Sequence, residues 1–333
     1  MCEILNFNKK NILITGGGGF IGSNIVFYIQ NNFPDANIVV FDCFRNGERF
    51  DNGNLKSFGH YKNLIGFKGT IITGNINSSV DLDYLNNFSF DYIFHQAAIS
   101  DTRVYDQELV LRTNLNSFHW FLNKALNDSA VLVYASSAAT YGNSKSPQVV
   151  GRESPDNPYG FSKLAMDEIA VKFTIKHPNA KILGLRFFNV YGPGEYYKEK
   201  TSSMVIQLAH QILSESSPRL FEGSEKILRD FVYIDDVVQA NIKACTASVN
   251  GVFNVGSGIS RSFKDIVDIL QNQLNTDFEI DYFPNPYTGY QMDTKADISL
   301  TIKNFNYAPK YSLEDGIKLY IPYIKDKFLE SYD

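Results

Sequence analysis

The sequence predicts an α/β protein with a doubly wound parallel sheet and a smaller C-terminal α/β lobe. Two observations lead to this fold class. Short apolar runs alternate with helix-length segments up to about residue 187, and long loops rich in Pro, Gly and Tyr replace that alternation after residue 188. Continuously apolar runs are typical of strands buried on both faces, and their alternation with helices is typical of parallel βαβ units.

Six apolar runs are expected to form the strands of the first part, residues 1–187. Helices are expected between these strands, for example at 105–127 and 158–176. The predicted strands lie at 11–15, 37–41, 70–73, 91–98, 130–137 and 181–187.

The second part, residues 188–333, is expected to form the smaller lobe from short helices and long loops. One run in it, near 252–255, is a candidate to return to the sheet of the first part. The helices of this part are predicted near 202–215, 235–247, 262–273 and 313–329.

The composition argues against several classes of partner. The net charge of −5 argues against a broad nucleic-acid surface. The N-terminus runs directly into a predicted core strand, so we expect no signal peptide and no membrane span. The three cysteines lack metal-ligand spacing and are typical of reduced thiols in a cytoplasmic protein, and we expect no metal site.

A glycine-rich turn follows the first predicted strand. The stretch "ITGGGGFIGSN" places Gly16, Gly19 and Gly22 in a G-x-x-G-x-x-G spacing and opens a helix, with Phe20 and Ile21 inside the motif. Glycines allow a tight turn, close approach to a pyrophosphate and close packing of helix on strand. The first part is therefore predicted to be mainly a dinucleotide-binding domain, with the pyrophosphate at the helix N-terminus.

The end of the second predicted strand leaves the choice of dinucleotide open. Asp42 stands 20 residues after Gly22, where an acid usually accepts hydrogen bonds from the adenosine ribose and favours NAD. The same loop supplies Arg45 and Arg49, whose guanidinium groups could bind a 2′-phosphate and favour NADP.

A serine, a tyrosine and a lysine suggest the chemistry of the site. Ser137 ends the fifth predicted strand, and "NPYGFSK" places Tyr159 and Lys163 one helical turn apart. An isolated phenol has a pKa of about 10, which a nearby ammonium and a bound nicotinamide cation would lower. The three side chains could then move a proton while a hydride passes to the cofactor.

The stretches "TGGGGFIGSN", "SSAATYG" and "YGFSK" resemble the extended short-chain dehydrogenase/reductase superfamily, which has a Rossmann-type fold and acts on nucleotide sugars. The resemblance implies Ser137, Tyr159 and Lys163 as catalytic residues. Dehydratases of this superfamily have an acidic residue directly after the serine position, where this chain has Ala138, so an epimerase is favoured.

The second half resembles the ADP-L-glycero-D-manno-heptose 6-epimerases, through "NVYGP" followed by a lysine, "FEGS" followed by "RDFVY", and "YTGYQMDTKAD". This resemblance implies Lys198 as a second base, with Lys200 as a competing candidate, in a loop near 195–203 about three residues longer than in some relatives. It implies that the second part, residues 188–333, is mainly a substrate-binding lobe. The implied substrate contacts are Ser100, Ser137, Asn189, Lys198, Ser203, His210, Phe221, Glu222, Gly223, Ser224, Arg229 and Tyr290.

Several of these substrate assignments also have a physical rationale. Arg229 is a fork-shaped donor for a diphosphate or for sugar oxygens, and its alternative role is a salt bridge with Asp230 or Asp235. Asn189 can hydrogen-bond a sugar hydroxyl, and Tyr290 lies in a loop of the kind that closes a pocket.

The resemblance also implies the positions that contact the cofactor. Two of them depart from the usual pattern, since "DCF" replaces "DN" and "GNI" replaces "GDI", and both lie at the adenosine end. The implied positions are Gly16, Gly19, Phe20, Ile21, Gly22, Asp42, Cys43, Arg45, Arg49, Asn75, Ile76, Gln96, Ala97, Ala98, Ser100, Asn114, Tyr159, Lys163 and Val190.

The function expected from this resemblance is inversion of C6 in an ADP-linked glycero-manno-heptose. Tightly bound NADP, one per subunit, is the expected cofactor, with NAD as the alternative. The product would supply heptose for the lipopolysaccharide core, and the enzyme would be a cytoplasmic homo-oligomer. The rival interpretations are another nucleotide-sugar enzyme, such as a 4-epimerase or a GDP-heptose enzyme, and a non-catalytic dinucleotide sensor.

Overall fold

A seven-stranded parallel sheet forms the centre of the protein, as the sequence predicts. The computed structural model describes residues 5–285 and 291–330. Each of the six predicted runs forms a strand of this sheet. The strands of the chain are β1 (Asn11–Thr15), β2 (Asn37–Asp42), β3 (Thr70–Thr73), β4 (Tyr92–His95), β5 (Val131–Ser137), β6 (Lys181–Phe187), β7 (Asn189–Tyr191), β8 (Arg219–Phe221), β9 (Leu228–Tyr233), β10 (Gly251–Val255), β11 (Ser260–Ser262) and β12 (Asp281–Phe283).

The strand order in the central sheet is β10-β6-β5-β4-β1-β2-β3. The seventh strand, β10, comes from the second part of the chain and pairs in parallel with β6, from Gly251 opposite Leu183 to Val255 opposite Phe187. The candidate returning strand near 252–255 is thereby confirmed. β7 and β11 flank β9 in a three-stranded sheet, and β8 pairs with β12.

The helices agree with the predicted positions, with one interruption. Two short 3₁₀ segments of functional interest, at Ala138–Tyr141 and Tyr196–Thr201, follow β5 and β7. The α-helices are α1 (Phe20–Asn32), α2 (Ser79–Tyr84), α3 (Gln107–Leu111), α4 (Ser117–Asp128), α5 (Pro158–Lys176), α6 (Met204–Leu213), α7 (Ile234–Ala244), α8 (Phe263–Leu274), α9 (Ser299–Phe305) and α10 (Leu313–Glu330).

The helix predicted at 105–127 is broken by a π-helical turn at Arg112–Asn116. Asn114 lies in this turn, and its carboxamide accepts a hydrogen bond from the Ile99 N–H and donates to the Ile99 carbonyl, each at 3.0 Å. It also donates to the Ser162 hydroxyl at 2.9 Å. Single π turns occur often near functional sites, and here the widened turn lets one amide join the segment after β4 to α5.

Both faces of the sheet are buried. Along β1, Ile12 and Ile14 belong to one core cluster and Leu13 belongs to a second cluster on the opposite face. Alternate residues of a strand point to opposite faces, so helices must cover the sheet on both sides. Within residues 5–285 and 291–330, no helix combines the length and apolar character needed to cross a bilayer.

Candidate active site

A cavity of about 940 Å³ lies at the carboxyl ends of the central strands, between the two parts of the chain. This is where open α/β sheets bind their ligands. The predicted site residues that line it are Gly16, Gly19, Phe20, Ile21, Gly22, Asp42, Cys43, Asn75, Ile76, Gln96, Ala97, Ala98, Ser100, Ser137, Tyr159, Lys163, Asn189, Val190, Lys198, Ser203 and Arg229.

Other predicted residues do not line the cavity. The residues Phe221–Ser224 do not line it, and the Phe221 ring packs edge-on against Phe283. His210 does not line it either, since its imidazole lies between the rings of Tyr196 and Phe328. Asn114 also lies outside the lining. Tyr290 falls outside the described residues.

The turn after β1 has the geometry that a pyrophosphate requires. Gly16 has a φ of +67°, and a Cβ there would lie 2.8 Å from the Ala97 nitrogen. A Cβ at Gly22 would lie 2.2 Å from the Gly16 carbonyl oxygen, so α1 packs on the turn only because this position is glycine. Gly19 caps α1 without a side chain, which leaves the helix N-terminus open to an anion.

Asp42 lies at the adenosine end of the predicted cofactor site, and its carboxylate already binds the protein. It accepts hydrogen bonds from the backbone N–H groups of Gly18 at 2.9 Å and of Phe44 at 2.8 Å. Burial raises the pKa of this carboxyl, although the two backbone bonds oppose the shift. Beside it, Cys43 is exposed, and its thiol lies 3.4 Å from the Ser57 hydroxyl.

Arg45 and Arg49, the candidates for a 2′-phosphate, do not line the cavity. Both reach the loop after β7 instead. The Arg49 guanidinium pairs with the Glu199 carboxylate at 3.0 and 3.4 Å. Arg45 lies 3.7 Å from the same carboxylate and donates to the Tyr197 carbonyl.

The structure brings Ser137, Tyr159 and Lys163 together. Asn157 caps α5 by accepting a hydrogen bond from the Gly160 N–H at 2.9 Å, so the tyrosine and the lysine lie in the first two turns. The Tyr159 phenol lies within hydrogen-bonding reach of the Ser137 hydroxyl. The Lys163 ammonium donates to the Ala135 carbonyl at 2.7 Å and lies 5.9 Å from the centre of the Tyr159 ring.

Burial shifts the acid–base properties of this group. It raises the pKa of Tyr159, a shift that the Ser137 hydrogen bond opposes and the negative charge of Asp167 reinforces. Burial also lowers the pKa of Lys163 from 10.5 to about 8. Because both groups are pushed toward their neutral forms, a phenolate here requires a further positive charge, such as a nicotinamide cation.

A buried ionic network supports the strand that carries Ser137. The Asp167 carboxylate accepts hydrogen bonds from the Tyr134 and Ser136 hydroxyls and from the Arg186 guanidinium, each at 2.9 Å. Arg186 also pairs with Glu153. Arg186 and Asp167 are almost completely buried, so their charges depend on this pairing.

Lys198 faces the same cavity from the second part of the chain. Its ammonium lies 5.6 Å from the centre of the Phe20 ring, at the start of α1. Burial lowers its pKa, and the nearby carboxylates of Glu195 and Asp101 oppose that shift. Lys200, the competing candidate, is exposed and does not line the cavity.

Glu195 joins the two ends of the loop that carries Lys198. Its carboxylate is fully buried and accepts hydrogen bonds from the Gly192 N–H at 3.1 Å, the Ser203 N–H at 2.5 Å and the Ser203 hydroxyl at 2.8 Å. The Ser203 side chain, which was expected to contact substrate, is therefore bound to this carboxylate.

Two of the polar residues predicted to contact substrate, Asn189 and Arg229, line the cavity. The Arg229 guanidinium donates to the Leu228 carbonyl at 2.7 Å and to the Gln291 carbonyl at 2.6 Å, and still lines the cavity. The neighbouring Asp230 carboxylate accepts from backbone N–H groups and a hydroxyl, including the Ser257 N–H at 2.7 Å. Asn189 donates to the Asp230 carbonyl at 3.4 Å.

Comparison with known proteins confirms the predicted family. The family model described as "NAD dependent epimerase/dehydratase family" matches residues 12–256, which is most of the chain. The chain belongs to this family. It is 50% identical to the ADP-L-glycero-D-manno-heptose-6-epimerase of Helicobacter pylori, with a TM-score of 0.87 over 96% of this chain and 97% of that one.

Other epimerases of known structure share the fold at lower identity. The UDP-glucose 4-epimerase of Thermotoga maritima is 26% identical, with a TM-score of 0.84 over 95% of this chain and 99% of that one. The UDP-glucuronic acid 4-epimerase of Bacillus cereus, in complex with UDP-glucuronic acid and NAD, is 24% identical, with a TM-score of 0.80 over 95% and 99%.

Sequence reasoning missed several residues that shape the site of this family member. Glu195, Asp167 and Arg186 carry no motif, and only Arg186, a charged residue within the apolar run of β6, had a signal that could have marked it. Asp101 was also missed. It lines the cavity, it is buried, and its carboxylate accepts hydrogen bonds from the Asn54 amide and the Arg103 N–H.

Proposed function

We propose that this protein inverts C6 of an ADP-linked glycero-manno-heptose, interconverting the D-glycero and L-glycero epimers. One observation of the geometry supports this best: two separate proton-transfer groups, Tyr159 and Lys198, line one cavity together with the glycine turn. Inversion at a carbinol needs proton transfer on both faces of a planar ketone, and one side chain cannot easily serve both. The similarity to the H. pylori 6-epimerase supports the choice of substrate.

The side chains divide the work as follows. A nicotinamide dinucleotide bound at the glycine turn would accept a hydride from C6 and return it to the opposite face of the ketone. Tyr159 or Lys198, depending on the epimer, removes the hydroxyl proton, and the other residue supplies a proton after the 6-keto sugar has turned. Ser137 hydrogen-bonds the reacting oxygen, and the positive charge of Lys163 stabilises the Tyr159 phenolate.

We further propose NADP as the cofactor, tightly bound with one per subunit. The residues fit a dinucleotide because the Gly16 and Gly22 positions admit no Cβ. The choice of NADP is supported by Asp42, whose carboxylate already accepts two backbone N–H groups. Arg45 and Arg49, which pair with Glu199 and do not line the cavity, add no support to this choice. Tight binding of the cofactor suits a reaction with no net redox change, because the cofactor returns to its starting oxidation state in every turnover and need not be exchanged.

The wider role follows from the same resemblance. The product would supply heptose for the lipopolysaccharide core, and the enzyme would act in the cytoplasm as a homo-oligomer. The support for this role is the 50% identity to the H. pylori 6-epimerase over nearly the whole of both chains.

The direct test is incubation of the purified protein with each ADP-heptose epimer while NMR follows C6. We expect interconversion without added cofactor, and mass spectrometry of the dinucleotide released on denaturation should identify NADP. Turnover of a GDP- or UDP-sugar instead of either ADP-heptose would contradict the proposal and favour another nucleotide-sugar epimerase.

Variants then test the two proton-transfer groups. Tyr159→Phe and Lys198→Met should each reduce epimerisation by at least about 100-fold, the usual loss when a general acid or base is removed. Lys200→Met is the matched control, because Lys200 is a lysine of the same loop that does not line the cavity. Full activity in Lys198→Met would refute the two-base assignment.

A further inference from the structure

The loop that carries Lys198 is attached to the cofactor-binding part by an ion-pair cluster that the proposed mechanism does not use. Glu199, the next residue, receives two hydrogen bonds from the Arg49 guanidinium, at 3.0 and 3.4 Å. Arg45 lies 3.7 Å from the same carboxylate and donates to the Tyr197 carbonyl. The two arginines of the loop after β2 thereby hold the Tyr197 carbonyl on one side of Lys198 and the Glu199 carboxylate on the other.

Glu199 has a backbone conformation that needs such support. Its φ of +52° and ψ of −127° belong to a region that residues with a side chain rarely adopt. The loop reinforces it from inside, since the Ser202 N–H and hydroxyl both donate to the Glu199 carbonyl, at 3.0 and 2.7 Å. The ion pairs reinforce it from outside.

Neighbouring contacts show that the whole loop rests on the cofactor-binding part. The Tyr197 ring stacks on His60 with 3.9 Å between ring centres and an interplanar angle of 1°. The Asn63 amide donates to the carbonyls of Gly18 and Gly194, each at 3.1 Å, and so joins the glycine-rich turn to this loop. Lys198 itself lies on the inner side, over the Phe20 ring.

We propose that Glu199 is a positioning residue for Lys198: its pairing with Arg45 and Arg49 holds the loop in the conformation that places Lys198 in the cavity. This inference rests on the proposed function of Lys198 as second base. Exposed ion pairs contribute little to overall stability. They can still select between loop conformations, because a strained backbone makes the competing conformations close in energy.

Glu199→Gln tests the proposal, because it removes the charge and nearly keeps the shape. The oxidation of each epimer in a single turnover can be followed by the absorbance of reduced nicotinamide. The epimer that Lys198→Met oxidises much more slowly than wild type is the one whose oxidation needs Lys198. Glu199→Gln should slow that epimer about five-fold, the rate factor that corresponds to one surface ion pair. Oxidation of the other epimer, which depends on Tyr159, should stay within about two-fold of wild type.

Two further variants separate charge from strain and from general surface effects. Glu199→Gly removes the carboxylate and also relieves the backbone strain, so it should slow the Lys198-dependent epimer less than Glu199→Gln does. Glu108→Gln is the matched control, since Glu108 forms an exposed pair with Arg112 at 3.3 Å on α3, and it should match wild type. Equal slowing of both epimers by Glu199→Gln, no slowing by Glu199→Gln, or slowing by Glu199→Gly as large as that by Glu199→Gln would overturn the proposal.

A second measurement keeps the inference testable if the proposed substrate is wrong. Acetic anhydride labelling read by peptide mass spectrometry should modify Lys198 about five-fold faster in Glu199→Gln than in wild type, while exposed Lys200 reacts equally in both. Unchanged labelling of Lys198 would overturn the positioning role. Wild-type protein that leaves both ADP-heptose epimers unchanged would overturn the proposed function, and the labelling result would still decide the role of Glu199.

Discussion

At the scale of single residues, Lys163 shows what a buried ammonium costs in folding stability. Its ammonium is buried and donates a hydrogen bond to the backbone carbonyl of Ala135. Its pKa is about 8 in the folded protein against 10.5 for an unperturbed lysine. Between these two values the unfolded chain binds the proton more tightly, so stability rises with pH in this window. At pH values below the folded pKa of about 8, the full free-energy cost of burying the charged ammonium is present.

Replacing Lys163 should therefore stabilise the cofactor-free protein while removing activity. Lys163→Met should raise the free energy of unfolding by about 1–3 kcal/mol at neutral pH, after allowance for the Ala135 carbonyl left without its donor. Urea unfolding at increasing pH should show this gain shrinking as the pH approaches 10.5. Lys172→Met, at an exposed site on α5, is the control and should change little. A loss of stability at neutral pH would contradict this account.

At the scale of one element, the Lys198 loop depends on a single internal carboxylate. Glu195 accepts from Gly192 at one end and from Ser203 at the other, so one side chain closes the loop. It is buried, and burial raises its pKa while the hydrogen bonds and Lys198 lower it.

Glu195→Ala should leave two backbone N–H groups and a hydroxyl without their acceptor. We expect a loss of about 2–4 kcal/mol in the free energy of unfolding, from buried donors left unsatisfied. Under the proposed two-base mechanism, oxidation of the epimer that uses Lys198 should slow more than oxidation of the epimer that uses Tyr159, because the loop moves while α5 does not. Urea unfolding and single-turnover rates measure the two effects. Glu279→Ala, at an exposed position before β12, serves as the control, and equal behaviour of the two variants would refute the closing role of Glu195.

The same loop shows why sequence prediction succeeded for some elements and not for others. β1 and the turn that ends at Gly22 were predictable because each depends on contiguous residues with a local spacing. The pairing of Arg49 with Glu199 joins positions 150 apart. No local pattern encodes that pairing, so the sequence could name the arginines only as candidates for a 2′-phosphate. Lys198 could be named from resemblance, and its choice over Lys200 gained support only once the cavity was visible.

At the scale of the whole molecule, the two predicted parts share one core. β10 crosses from the second part to pair with β6, and one hydrophobic cluster runs from Ile12 in β1 to Ile324 in α10. The predicted boundary at residue 187 therefore cuts through a shared sheet edge and a shared cluster. Because neither side could bury its apolar surface alone, the chain should behave as a single cooperative unit.

This cooperativity can be measured with one fluorophore in each part. Trp120, the single tryptophan, lies on α4 of the first part, and Phe328→Trp in a Trp120→Phe background places a reporter on α10. For each of the two proteins, the urea unfolding transition seen by fluorescence should coincide with the transition seen by far-ultraviolet circular dichroism. In a separate test, a fragment of residues 1–187 should not fold. Transitions that separate between the two reporters, or a folded fragment, would show two independent units. A single transition means that a cofactor bound at Gly16–Gly22 protects the second part of the chain against global unfolding as well, because both parts then unfold together.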